Sequence, residues 1–146
     1  MEEILNRDGS LLQVPVGYSM WPMLKNRRDQ IVVEKIDGKL KKYDVVLYKR
    51  HSGMYVLHRI LAIKNYRYVI RGDNTYYKET DITDNEIIGR LKGVYKGNRF
   101  IDCDKNLLYR FYVIFWRVIY PLRFVFRFIY RGLKKLFGKK GVVNEN

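Results

Sequence analysis

The chain has 146 residues, and 29 Lys+Arg against 15 Asp+Glu give it a formal net charge of +14. With 47% hydrophobic and 15% aromatic residues it is too apolar for intrinsic disorder to be its main state. A single cysteine, Cys103, excludes an intramolecular disulfide framework and a cysteine-rich zinc site, leaving His51 and His58 as the two imidazoles.

The chain opens on Met1-Glu2-Glu3 and reaches no apolar run of secretory-signal length, which sets the expectation of work at the cytoplasmic face. Short β-branched runs then follow one another at residues 30–36, 43–48, 54–63, 68–70 and 86–95. Gly9, Gly38, Gly53 and Gly72 fall between or beside them, and Gly97-Asn98 is a turn signal after the last. Five or more short strands with no long helical period predict a mainly β fold over residues 1–105, a small sheet or barrel.

After residue 105 the character changes. Residues 1–106 carry 20 cations and 14 anions, whereas 107–140 carry nine cations and no anion. Such asymmetry points to a polyanionic partner. Read as a helix over 106–137, the segment puts Arg123, Arg127, Arg131, Lys134 and Lys135 within about 120° of one another, and Arg110 and Arg117 share a face one heptad apart. Pro121 predicts a kink or a break between two helices. The longest uncharged stretch, 111–116, is six residues, against roughly 20 needed to span a bilayer. The expectation is a kinked amphipathic helix lying on an anionic membrane surface through Arg117, Arg123, Arg127, Arg131, Lys134 and Lys135, with 138–146 as a flexible tail. A long helix packed on the β domain is the competing reading. Nucleic acid is not expected as a partner, because the segment is too apolar for an exposed DNA arm.

Three blocks carry the chemistry. Ser19 lies in Gly17-Tyr18-Ser19-Met20-Trp21-Pro22. His58 sits inside a β-branched run, in step with Val56, Ile60 and Ala62, which predicts burial. Gly72-Asp73-Asn74 follows. Nucleophile, base and acid in this order invite a serine–base–acid reading. Met20, Trp21 and Pro22 form a candidate substrate wall, with simple packing as the alternative. Asp29 and Asp44 precede strands and read as turn hydrogen-bonders. His51 has the surroundings of an exposed hairpin tip. No His/Asp/Glu spacing suits a metal and no glycine-rich phosphate loop occurs, so neither metal nor cofactor is expected.

Over about residues 14–94 these blocks resemble the signal peptidase I superfamily, which also contains self-cleaving repressor peptidases. Ser19-Met20-x-Pro22 is similar to its nucleophile motif, Asp29-x-Ile31-Val32 and Asp44-Val45-Val46 to its two strand starts, and Gly72-Asp73-Asn74 to its late block. His58-Arg59 stands at the base position, as in the archaeal and endoplasmic-reticulum branch, where the bacterial branch has Lys-Arg. The resemblance implies a β-sheet serine endopeptidase that removes a signal or leader peptide from a precursor at a membrane. Ser19 would be its nucleophile, His58 its general base, and Asp73 or Glu79 the acid serving His58. Two departures are visible: Gly17 stands where the family often has a hydroxyl residue, and the lipophilic segment comes last rather than first. The other readings are a non-catalytic membrane- or nucleic-acid-binding protein on the same fold and a self-cleaving repressor-type regulator.

Overall fold

A computed structural model describes residues 1–137, with the side chains of all but Phe124, Arg127 and 131–137. Two compact units are present, the first running from Met1 to Arg110 and the second starting at Phe111. In chain order the elements are α1 (Glu2–Asp8), β1 (Ser10–Gln13), β2 (Gln30–Glu34), β3 (Val45–Lys49), β4 (Tyr55–Lys64), β5 (Arg67–Arg71), β6 (Glu79–Ile82), β7 (Ile87–Lys96), β8 (Arg99–Asp102) and α2 (Leu107–Phe137).

The eight strands form one antiparallel sheet in the order β1-β2-β7-β3-β4-β5-β6, with β8 on β7. The mainly β reading therefore holds, and the five runs read from the sequence correspond to β2, β3, β4, β5 and β7. The Gly97-Asn98 turn joins β7 to β8, with Gly97 at φ 60°. Asn65 and Tyr66 join β4 to β5 with φ of 48° and 59°, the paired positive values of a two-residue hairpin turn. Four elements lacked a legible signal. α1 is a single short helix, and β1, β6 and β8 are four residues each, too short for a period to declare itself.

Val46, Tyr48, Ile60, Tyr68, Ile70, Ile82 and Ile87 fill the core on one face of the sheet together with Leu40. The centre of β4 departs from strict alternation: Leu57, His58, Arg59 and Ile60 are all buried. Both faces of the strand are covered there, and a bulge between Ile60 and Ala62 shifts its register against β5. His58 shares its face with the core, and Arg59 points the other way.

α2 runs as one helix of 31 residues with Pro121 inside it, so no break into two helices is seen. Among the described residues no helix is long and apolar enough to cross a membrane. Leu108, Phe111, Phe115, Val118, Leu122, Val125 and Ile129 recur at alternating steps of three and four, and all are exposed. They make one apolar stripe along the helix. Arg110, Arg117 and Arg123 lie off this stripe by sequence spacing. On the charged side Tyr112 stacks on Trp116, and the Arg123 guanidinium lies 4.6 Å from the Trp116 ring centroid. Aromatics thus occupy both sides of the helix, rather than only the side away from the cations. The side chains of Arg127, Arg131, Lys134 and Lys135, and the whole of 138–146, lie outside the described residues.

Candidate functional site

The serine segment is an irregular turn between β1 and β2, and Ser19 itself is half-buried. Local geometry explains its glycine. Gly17 sits at φ 114°, where a side chain is strained, and its N–H donates to Asn26 Oδ1 at 2.8 Å. A hydroxyl residue at position 17 would have to adopt that backbone.

The Gly72-Asp73-Asn74 block sews this turn to the histidine strand. The Asn74 N–H donates to the Ser19 carbonyl at 2.7 Å, and Asn74 Nδ2 donates to the Tyr18 carbonyl at 3.2 Å. Gly72 is buried, and a Cβ on it would stand 2.6 Å from the Ser19 carbonyl oxygen and 2.9 Å from His58 Nε2. Only a residue without a side chain fits between the serine backbone and the imidazole. Nε2 of His58 therefore lies close to the Ser19 backbone, and among the described residues no hydrogen bond joins it to Ser19 Oγ.

Asp73 does different work from the one expected of it. Both of its carboxylate oxygens accept from Arg59, at 2.8 Å each, and both side chains are buried. Arg59 also donates to the Tyr43 carbonyl at 2.9 Å and to the Tyr109 hydroxyl at 3.2 Å. The carboxylate beside His58 Nδ1 is that of Glu79, with Oε1 at 3.3 Å.

Glu79 arrives on β6 and is held from two further sides. Arg50 donates Nε to Oε2 at 2.8 Å and Nη2 to Oε1 at 2.6 Å, and the Tyr48 hydroxyl donates to Oε1 at 2.6 Å. Tyr48 Oη is 3.2 Å from His58 Nδ1. Since the Tyr48 proton is spent on Glu79, its oxygen can only accept from His58. The imidazole is thereby assigned as the tautomer protonated at Nδ1 and bare at Nε2.

The electrostatics agree. Burial pushes the His58 imidazole below its ordinary value, with Glu79 pulling the other way and Arg50 reinforcing the shift. The Arg50 hydrogen bonds hold Glu79 below the usual carboxylate range. Burial and the Glu79 carboxylate push the Tyr48 hydroxyl up, so it keeps its proton. At neutral pH the cluster is a neutral base beside an ionised, arginine-bound acid.

Ser19, Met20 and His58 open onto a groove of about 500 Å³. Its wall is largely apolar, with Leu24, Ile31, Val33 and Leu47 among the residues lining it. Residues 13–17, which continue from β1, form one side. Of the expected substrate wall, Met20 lines this groove, whereas Trp21 (45% exposed) and Pro22 do not. Asp29 and Asp44 accept from the Lys25 and Lys41 N–H groups, as turn residues do. His51 is 97% exposed at the hairpin tip. Among the described residues no cluster of His, Cys, Asp and Glu could hold a metal ion.

Tyr48 and Arg50 were missed in the sequence. Their signal is register: Val46 pairs with His58 across the β3–β4 hairpin, which makes Tyr48 the diagonal neighbour of His58. No protein-family model matches the chain, nor does any curated protein.

Two substitutions test this construction. Gly72→Ala forces the Ser19 carbonyl and the imidazole apart, and should cost about 1–3 kcal/mol in urea unfolding. Asp73→Asn leaves the Arg59 guanidinium buried without its counter-charge, and should cost about 3–5 kcal/mol in the same assay.

Proposed function

We propose that the protein is a serine endopeptidase that removes a signal or leader peptide from a precursor at a membrane surface. In this reading it is a divergent relative of the signal peptidase I superfamily, on the branch whose base is histidine. One observation carries it: an imidazole whose Nε2 lies against Gly72, which also packs on the Ser19 carbonyl, at the edge of an apolar groove.

The chemistry follows from the residue types. Ser19 Oγ attacks the scissile carbonyl while His58 Nε2 takes its proton. The imidazolium so formed is stabilised by Glu79 at Nδ1, which is the service the acid performs in a serine triad. His58 then returns the proton to the leaving amine, leaving an acyl group on Ser19 that water removes by the reverse sequence. The Ser19 backbone N–H is the donor proposed for the oxyanion. Asp73 keeps its place in the scheme through Arg59, holding the segment that carries Gly72 and Asn74.

The substrate in this reading is an extended chain. β1 is a terminal strand of the sheet, its continuation flanks the groove, and an edge of this kind accepts a peptide by strand addition. An apolar wall suits apolar side chains beside the cut.

The membrane half of the proposal rests on α2. Its exposed apolar stripe, seven residues in alternating steps, sits on a segment with nine cations and no anion among residues 107–140. Positions flanking the stripe, Ile114 and Phe126, are also apolar and exposed, giving a width that suits lipid better than a coiled-coil seam with charged flanks. A bend at Pro121 belongs to this reading, since proline removes the donor that would bond the Arg117 carbonyl. Each cation near an anionic surface contributes roughly 1 kcal/mol.

Ser19→Ala should abolish cleavage of an apolar leader peptide and labelling by a fluorophosphonate, and His58→Ala should lower turnover about 10²–10⁴-fold. Full turnover by either folded variant would end the proposal. Because burial lowers the His58 pKa, the acid limb of kcat/KM should fall below the ordinary imidazole value of about 6.5. The sign for stability is the same: the unfolded chain takes up this proton first as pH falls, so the contribution of His58 is complete above about 6.5 and is lost below it. Unfolding titrations across pH 4–8 read that loss directly.

For α2, Val118→Asp should release the protein from vesicles containing phosphatidylserine, and 0.5 M salt should weaken binding of the unsubstituted chain. Flotation of both proteins on a sucrose gradient is the measurement, and equal flotation would refute the membrane reading.

A further inference from the structure

The serine–histidine reading leaves unexplained why the acid beside His58 is so heavily occupied. A lone carboxylate at 3.3 Å from Nδ1 would raise the imidazole pKa and charge the base before it could act. Glu79 instead has both oxygens bound by the Arg50 fork and Oε1 bound again by Tyr48. Arg50 comes from the turn that leaves β3, is partly buried, and places a fixed positive charge on the far side of the carboxylate.

We infer that Arg50 and Tyr48 are positioning residues that act through Glu79 to hold His58 neutral, protonated at Nδ1 and bare at Nε2. The inference deepens the peptidase reading and rests on it for its purpose, though not for its measurement. Arg50 balances the charge of the ionised acid, and Tyr48, its proton spent on that acid, offers its own oxygen lone pair to Nδ1–H. The other groups facing His58 are consistent with this. The Asp73 carboxylate, on the other face of β4, is matched by Arg59, and Ser19 carries no charge. Each of the two acids near the imidazole thus has its own arginine.

The device has a consequence for the reaction. When His58 takes the serine proton, the imidazolium meets an acid already ionised and already oriented, so no proton leaves Nδ1. Glu79 keeps enough field to stabilise the transient cation, while Arg50 prevents that field from protonating the resting base.

The test is imidazole NMR on the untagged chain labelled with ¹⁵N-histidine. The spectrum holds two imidazoles, and a His51→Gln background leaves that of His58 alone. In the unsubstituted protein above its pKa, His58 should show the Nδ1–H tautomer, and finding the proton on Nε2 overturns the inference without any variant. Arg50→Gln frees the Glu79 carboxylate and should move the His58 midpoint upward by about one pH unit or more. Arg50→Lys, which keeps the charge and loses the fork, should fall between. Tyr48→Phe should broaden or mix the tautomer signals, because only the 3.3 Å carboxylate contact then remains to hold the ring. A His58 midpoint unchanged in Arg50→Gln overturns the inference.

The acid limb of peptide cleavage should shift with the NMR midpoint, at nearly constant KM. If the tautomer and the midpoint behave as stated but no peptide is cut, the peptidase reading fails and the charge device stands. If Ser19→Ala abolishes cleavage while Arg50→Gln leaves the midpoint unmoved, the reverse holds.

Discussion

A buried ion pair fixes how the serine turn meets the histidine strand. Arg59 lies on β4 and Asp73 in the turn after β5, with their side chains 5% and 3% exposed, and two hydrogen bonds of 2.8 Å lock them together. Desolvating two charges is expensive, and a pair of this kind returns little net stability over an apolar substitute. Its effect is on register. With Asp73 fixed, Gly72 must lie under the imidazole and Asn74 must reach the serine turn, because those three residues are consecutive. The irregular loop that carries Ser19 is in this way tied to a strand by groups that cannot slide.

A second consequence is electrical. His58 and Arg59 are neighbours on β4 and point to opposite faces, so each can have its own acid without the acids competing. Asp73 serves Arg59 on one face, and Glu79, carried by β6, meets His58 on the other. Were one carboxylate asked to serve both, the guanidinium would win by its permanent charge and the imidazole would be left without an orienting partner. The bulge after Ile60 helps, since it lets β4 stay buried on both faces through residues 57–60 and turn outward beyond them.

The sequence made the strands legible where β-branched residues ran for five or more positions, and the serine, histidine and Gly-Asp-Asn blocks stood out by residue type and order. Which carboxylate stands beside His58 was not legible. Asp73 follows a glycine and precedes an asparagine, which drew it toward the catalytic role, yet its partner is the next residue along from the histidine. Glu79 lies on a strand of four residues that has no period of its own and exists because β5 supplies a ladder for it. Tyr48 was invisible for a related reason: its role depends on hairpin register, a property of two strands together. The expected substrate wall was read from adjacency, and of its three residues Met20 lines the groove. Met20 is buried against the groove while Trp21 turns outward, as a turn, unlike a strand or helix, gives neighbouring side chains no shared direction.

The helix and the groove pose the same physical problem, and this supports reading them as one protein's answer to it. An apolar stripe of seven exposed residues on α2 is stable in water only with something to cover it, and an apolar groove fills most readily where apolar peptides are concentrated. A lipid surface supplies both. Leader peptides partition there by their hydrophobic segments, and the nine cations of residues 107–140 bias the helix toward anionic headgroups. On the proposed function, the charge asymmetry of the chain would serve substrate supply: a peptidase would gain local concentration from the surface its precursor occupies. Turnover would then rise with anionic vesicles for a lipid-bound precursor and stay flat for a short soluble peptide. Within the proposal, that difference separates a membrane that would deliver the precursor from one that would merely hold the protein.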